Sequence, residues 1–328
     1  PWNGPFGTFI IKVAPALAAG CSCVVKPAED TPLNALIIAE TAIEAGIPPG
    51  VLNVIIGDGR AGEFLVSNPN LNKISFTGST EVGKKIVRQC SNDLKRVTLE
   101  LGGKSPCIIF NDANLDVAIA GAAMAIFSNS GQVCFAGSRL FIQNEIYDEA
   151  IKGISEFSKN LKVGNGFAED TVLGPLISSE QHKKVSDYVK IGLKEGAELI
   201  SGGNNSSDNG FYFNPTVFGK VNKEMRIVKE EIFGPVLAAC PFETIDEVVE
   251  MANDTKYGLG SGIFSTDINK VHMVAKKINA GNVWVNHYGG MHPTLPFGGY
   301  KESGWGRELG EDGFKAYLEQ KTVSIKLD

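Results

Sequence analysis

The apolar positions of this chain fall into short runs broken by glycine and polar residues, and the runs alternate in period. Residues 6–19 place Phe6, Ile10, Val13 and Leu17 at near-helical spacing, which predicts an amphipathic helix. Cys21 to Lys26 contains Val24-Val25 and is short enough for a buried strand. A helix opens at Thr31-Pro32 and runs to Ala45, stopped by Gly46 and Pro48-Pro49-Gly50. Val51–Ile56 reads as a strand, followed by a short helix, a strand over Lys73–Phe76, a helix to about Gln89 and a strand over Val97–Leu101. Strands alternating with helices indicate a parallel, doubly wound sheet. The style repeats beyond Ser105. Strands are expected over Cys107–Phe110, Phe211–Val217, Val236–Cys240, Gly262–Phe264 and Asn282–Asn286. Helices are expected over Asp116–Phe127, 146–160, 179–195, Thr244–Asn253 and Asp267–Ile278. The tail Thr322–Leu327 alternates polar and apolar residues, which suits an exposed strand that pairs with a partner.

Composition narrows the field. A chain of 328 residues holds two domains of ordinary size. Hydrophobic residues at 43% and charged residues at 21% are the balance of a soluble globular protein. A net charge of -6 gives no basic footprint for nucleic acid, and no apolar stretch is long enough to span a bilayer. Six cysteines are sparse for a disulfide framework, and the four histidines form no zinc-like spacing. A reducing, cytosol-like compartment is expected. Pro1-Trp2-Asn3-Gly4-Pro5 has neither a start methionine nor a cleavable signal, so the chain is expected to begin within a longer protein.

Candidate chemistry gathers in the glycine-bearing segments. Cys134 sits in Ser130-Gly131-Gln132-Val133-Cys134-Phe135-Ala136-Gly137, and Glu100 ends the apolar run of Thr98-Leu99-Glu100-Leu101-Gly102-Gly103-Lys104. A thiol and a base on separate segments are what covalent catalysis needs. On local grounds Cys134 also reads as a small core residue, and Glu100 as a buried carboxylate paired with Lys104. Ile74-Ser75-Phe76-Thr77-Gly78-Ser79-Thr80-Glu81-Val82-Gly83 is a strand–turn–helix whose helix start attracts phosphate; a plain capping turn fits it equally. Lys26-Pro27-Ala28-Glu29 follows a strand end, where doubly wound sheets bind ligands, or is a solvated charge pair. Glu230-Glu231-Ile232-Phe233-Gly234-Pro235 reads independently as a turn before a strand.

Taken in order from Pro1 to the last residue, these motifs resemble those of the NAD(P)-dependent aldehyde dehydrogenases of the non-acylating, Cys/Glu type. The resemblance implies an α/β fold: a partial doubly wound parallel cofactor-binding sheet, a second α/β catalytic domain and a C-terminal oligomerisation strand. Residues 1–102 would be the cofactor-binding domain with its N-terminal part missing, 103–302 the catalytic domain, and 303–328 a return to the cofactor domain ending in the oligomerisation strand. Cys134 would attack the aldehyde, giving a thiohemiacetal and then a thioester. Glu100 would activate the hydrolytic water. The Asn3 amide and the Cys134 N–H would hold the oxyanion, and Lys12 and Glu308 would form a proton-relay pair, although Lys12 also reads as a surface lysine. Trp2, Lys26, Glu29, Gly59, Ser79, Gly102, Glu231 and Phe233 would bind the cofactor. Within that set, Lys26 and Glu29 would hold the adenosine ribose, Ser79 a phosphate, and Glu231 the nicotinamide ribose, with Phe233 beside the nicotinamide. A carboxylate at Glu29 would repel a 2′-phosphate, which favours NAD over NADP.

Phe297, in Pro296-Phe297-Gly298-Gly299-Tyr300-Lys301-Glu302-Ser303-Gly304, would pack near the thiol. Arg307 and Glu319 match charged positions that support the cofactor or subunit region, or they are structural salt bridges. No metal is implied. The partners would be a small aldehyde and further copies of the chain, as a homodimer or homotetramer in the cytoplasm. The channel candidates Gly4, Thr8, Ile11, Phe135 and the loop from Asn286 to His292 are mostly small or apolar, which suits aliphatic or aromatic aldehydes. His287, Tyr288 and His292 read as specificity contacts or simply as a polar loop. Full-length family members carry a long segment before this start. The competing expectations are therefore a non-catalytic NAD- or subunit-binding remnant and a thiol esterase that works without NAD.

Overall fold

The computed structural model describes residues 1–207 and 209–328, which form two compact units. The first comprises Pro1–Leu99, Met291–Gly298 and Trp305–Asp328; the second comprises Glu100–Gly290 and Gly299–Gly304.

The first unit begins with α1 (Pro5–Ala18), β1 (Cys23–Val25), α2 (Leu33–Glu44), β2 (Leu52–Val54), α3 (Gly59–Ser67), β3 (Lys73–Thr77), α4 (Thr80–Cys90) and β4 (Arg96–Glu100). One face of α1 supplies Phe9 and Val13, which pack with Ala35 of α2 and against Val25, Leu52 and Val54. β1 and β2 run parallel, Cys23 opposite Leu52 and Val25 opposite Val54. Beside this pair stands a separate three-stranded group in which β4 lies between β3 and the short strand Gly304–Trp305.

The second unit contains β5 (Pro106–Ile109), α5 (Leu115–Phe127), β6 (Arg139–Gln143), α6 (Tyr147–Lys159), α7 (Ser179–Lys194), β7 (Glu198–Ser201), β8 (Thr216–Gly219), α8 (Arg226–Lys229), β9 (Val236–Phe242), α9 (Ile245–Asn253), β10 (Gly260–Phe264), α10 (Ile268–Lys277) and β11 (Asn282–Val285). The chain closes with β12 (Gly304–Trp305) and α11 (Gly310–Lys315).

The seven strands of the second unit lie in the order β11-β10-β5-β6-β9-β8-β7, all parallel except the antiparallel β7–β8 edge. The two-residue period of a strand sends alternate side chains to opposite faces. Cys107 and Ile109, Leu140 and Ile142, and Leu237 and Ala239 pack with α5 and α6. Their neighbours Ile108, Phe141 and Phe242 pack with α9 and α10. Both faces are therefore covered, as a parallel sheet requires.

Two expectations need correction. The strand placed over Phe211–Val217 is Thr216–Gly219: Pro215 has no N–H to pair, and Phe213 makes only an isolated bridge to Asn205. Strands β6 and β7 have no counterpart among those the sequence predicts. In the tail Thr322–Leu327, Val323, Ile325 and Leu327 are 72%, 76% and 86% exposed.

Candidate active site

In the second unit, Cys134 lies on a loop between α5 and β6 whose path is held at many points. Asn129, Ser130 and Gly131 all have positive φ, at 52°, 55° and 72°. Two non-glycine residues in that region are strained, and such strain persists only where the surroundings impose it. The restraints are visible. Ser130 Oγ donates to the Gly174 carbonyl at 2.6 Å. Gln132 accepts from the Ile177 N–H at 2.9 Å and donates to the Asn129 carbonyl at 3.1 Å. The Gly137 N–H donates to the Ala125 carbonyl at 2.9 Å. Only glycine fits position 131, since a Cβ there would stand 2.1 Å from the Gly234 carbonyl oxygen.

Glu100 ends β4 and is 3% exposed. The segment after it is tied down by Ser303, which is fully buried. The Leu101 N–H donates to the Ser303 carbonyl at 2.9 Å, and Ser303 Oγ donates to the Gly102 carbonyl at 2.7 Å. Gly102 and Gly103 then make room for two partners. A Cβ on Gly102 would meet a Glu231 carboxylate oxygen at 2.6 Å, and one on Gly103 would meet the Cys134 carbonyl oxygen at 2.2 Å. The Gly103 N–H donates to Glu231 Oε1 at 2.9 Å. Glu231 thus keeps its second carboxylate oxygen for another donor. Phe233, two residues on, has φ +60°, and its carbonyl accepts from Gln181 Nε2 at 2.7 Å.

The electrostatics follow from this packing. Cys134 keeps part of its surface exposed, yet desolvation, then the Glu231 and Glu100 carboxylates, push its thiol up to about 12. The backbone N–H groups of Phe135 and Cys134 face the sulfur and act in the opposite direction. Burial raises the Glu231 carboxyl, opposed by the Gly103 N–H and by Lys184 and Lys104. The thiol is therefore the resting form, and the rate of its alkylation is expected to climb roughly tenfold per pH unit through the neutral range, since only the thiolate reacts. Iodoacetamide labelling of the Cys134 peptide measures this; a plateau below neutral pH would contradict it.

Lys104 is 1% exposed, and its Nζ has no hydrogen-bond partner among the described residues. Burial and the Arg139 charge lower its pKa from 10.5 to about 7. Between those values the unfolded chain binds the proton and the folded chain does not, so stability rises with pH across that window, by on the order of 1 kcal/mol per pH unit. Lys104→Met is expected to flatten that slope and to be more stable than the parent at pH 7. Urea midpoints at several pH values check this, and an unchanged slope would refute it. Arg139, equally buried, donates to the carbonyls of Lys104, Met251 and Ala252, which fixes the segment following Glu100.

In the first unit, Lys12 pairs with Glu308 and donates to Ser75 Oγ at 3.2 Å. Glu308 and Phe297 exchange two backbone hydrogen bonds at 2.7 Å. Lys26 donates to the Pro27 and Gly57 carbonyls, each at 2.7 Å, with its Nζ 3.6 Å from Glu29 Oε2. Gly59 opens α3 beside the capping Asp58. Ser79 caps α4 by accepting from the Val82 N–H at 3.3 Å, which leaves its own O–H free to donate. Trp2 and Asn3 lie just before α1, and Arg96 pairs with Glu319 at 3.0 Å.

The structure therefore brings Cys134, Glu100, Gly102, Glu231 and Phe233 together in one unit, and Lys12 with Glu308 and Lys26 with Glu29 in the other. The loop anchors Ser130, Gln132 and Ser303 are absent from the residues that sequence reasoning singles out. A polar residue two positions before the thiol, flanked by glycine, is the available signal.

Comparison with known proteins identifies the family. The aldehyde dehydrogenase family model matches residues 1–323. The chain is 50% identical to aldehyde dehydrogenase, cytosolic 1, of Rattus norvegicus, over 100% of this chain and 66% of that protein. It is 48% identical to aldehyde dehydrogenase 1A1 of Homo sapiens with the same coverage. It thus spans about two thirds of the length of the curated relatives it matches. The NAD+ complex of an aldehyde dehydrogenase from Bacillus cereus superposes with a TM-score of 0.99 at 45% identity, covering 100% of this chain and 67% of that one. A betaine aldehyde dehydrogenase from Staphylococcus aureus, in complex with NAD+, gives 0.95 at 42% identity, covering 97% and 64%. The chain belongs to the aldehyde dehydrogenase family.

Proposed function

We propose that the protein oxidises an aldehyde to a carboxylic acid with NAD+, through a thioester on Cys134. The observation that carries this reading is the junction of the Cys134 loop with the Glu100 and Glu231 carboxylates across Gly102-Gly103. The thiolate adds to the carbonyl carbon, and the negative charge moves to the carbonyl oxygen. The Cys134 N–H supplies one donor for that oxyanion and, on the family pattern, the Asn3 amide supplies another. Once the bound aldehyde has been oxidised, the carbon is held as a thioester. Glu100 takes a proton from water as the water attacks, and the Cys134 sulfur leaves as thiolate. On the family pattern, Lys12 and Glu308, which pair with each other, would form the proton relay.

The chain's residues fit a dinucleotide. The Ser79 hydroxyl can donate to a phosphate at the start of α4, Lys26 and Glu29 stand at the end of β1 for a ribose, and one Glu231 oxygen remains available for a second ribose. On the family pattern, Trp2, Gly59 and Gly102 would complete that set, and Phe233 would pack beside the nicotinamide. NAD+ supplies the two-electron acceptor. The carboxylate of Glu29 favours NAD+ over NADP+. The small and apolar channel residues favour aliphatic or aromatic aldehydes. Free cysteines throughout the described residues suit the cytoplasm, and the exposed alternation of Val323, Ile325 and Leu327 suits pairing with further copies as a homodimer or homotetramer.

NADH formation over a panel of aldehydes tests the reading. The parent is expected to turn over and Cys134→Ser to fall to background. Turnover that survives in Cys134→Ser would overturn it.

A further inference from the structure

Tyr288 follows β11 in a stretch that the sequence reads as specificity contacts or as a polar loop, and its hydroxyl donates to the Phe135 carbonyl at 2.6 Å. Phe135 is the residue after Cys134. The Tyr288 ring lies 5.1 Å from the Trp284 ring, and the Trp284 ring lies 5.3 Å from that of Phe135. Glycines make the space: a Cβ on Gly137 would stand 3.2 Å from the Tyr288 ring, and one on Gly262 would stand 2.4 Å from it. Phe135 is thus held through its side chain by aromatic packing and through its carbonyl by one hydroxyl. Its own N–H faces the Cys134 sulfur and favours the thiolate. Burial, with Cys107 and Cys134 nearby, keeps the Tyr288 hydroxyl protonated well past its ordinary range, so it remains a donor at any working pH.

We propose that Tyr288 is a positioning residue for the nucleophile: by gripping the Phe135 carbonyl it holds the Phe135 N–H on the Cys134 sulfur. This rests on Cys134 being the nucleophile. The ionisable groups facing the sulfur are Glu231, Glu100 and Tyr288. Both carboxylates oppose the thiolate, and the two N–H groups oppose the carboxylates. Releasing one N–H therefore shifts thiolate formation to higher pH.

The test is iodoacetamide labelling of Cys134 from about pH 7 to 10, read by peptide mass spectrometry, with thermal unfolding followed in parallel. Tyr288→Phe keeps the ring and loses the donor. It is expected to unfold near the parent temperature and to label about three- to tenfold more slowly at each pH, the worth of one hydrogen bond. Its kcat for aldehyde should fall with KM unchanged. Trp284→Phe loosens the packing on Phe135 and keeps the hydroxyl; it is expected to unfold earlier and to slow labelling less than Tyr288→Phe does. Equal slowing in both variants, or in neither, would overturn the proposal. If the parent oxidises no aldehyde while Tyr288→Phe still labels slowly, the functional reading fails and the positioning role stands.

Discussion

Glu100→Gln is expected to preserve the first turnover and stop those that follow. The carboxylate is buried at the end of β4, and Ser303 fixes the backbone just beyond it. Glutamine keeps the shape and cannot take a proton from water. Loss of a general base costs about 10²- to 10⁴-fold, and here the loss falls on thioester hydrolysis. Thiol attack should survive. The Glu100 charge opposes the Cys134 thiolate, so its removal makes the sulfur easier to ionise and quickens alkylation. Stopped-flow absorbance should therefore record a burst near one NADH per chain followed by a nearly flat trace. A lost burst would mean that Glu100 deprotonates the thiol, and an unchanged steady rate would mean that it has no part in the chemistry.

Gly103→Ala is expected to disable the site from behind. The added Cβ would lie 2.2 Å from the Cys134 carbonyl oxygen, and that atom is backbone held in a restrained loop, so the loop itself must shift. Overpacking of this kind costs about 1–3 kcal/mol of stability. A displacement on the order of 1 Å at a reacting atom costs about a hundredfold in rate. Both the melting temperature and Cys134 labelling should fall. Gly102→Ala meets only the end of the Glu231 side chain, so it should unfold near the parent temperature and instead raise the KM for NAD+. Parent-like activity in Gly103→Ala would show that the close approach is unimportant.

The same contacts explain which features are legible in the amino-acid sequence and which are not. The motif loops are legible because each combines a chemically distinctive residue with glycines that a close approach demands, as Gly102-Gly103 and Gly131 illustrate. Most helices are legible from their period and caps; Thr244 and Glu247 form a reciprocal capping box at α9. β6 is not, because Arg139 opens it and reads as polar. Three carbonyls from distant segments satisfy that guanidinium, and no local pattern encodes them. The role of Tyr288 is hidden for the same reason. Its loop carries no local pattern that marks this role, and its meaning lies in a hydrogen bond to a residue far along the chain. Ser79 has two compatible roles, since a serine that caps a helix keeps a proton for a ligand. The apolar alternation of the tail is legible, but a strand there needs a partner that one chain does not contain.

The most direct measurement is rapid acid quench of the protein turning over a simple aldehyde with NAD+, followed by intact-mass and peptide mass spectrometry. The expected result is one acyl group, located on the peptide that carries Cys134, present only when NAD+ is supplied and accumulating further in Glu100→Gln. An acyl group on any other residue, or turnover with no covalent adduct in either protein, would contradict a thioester at Cys134.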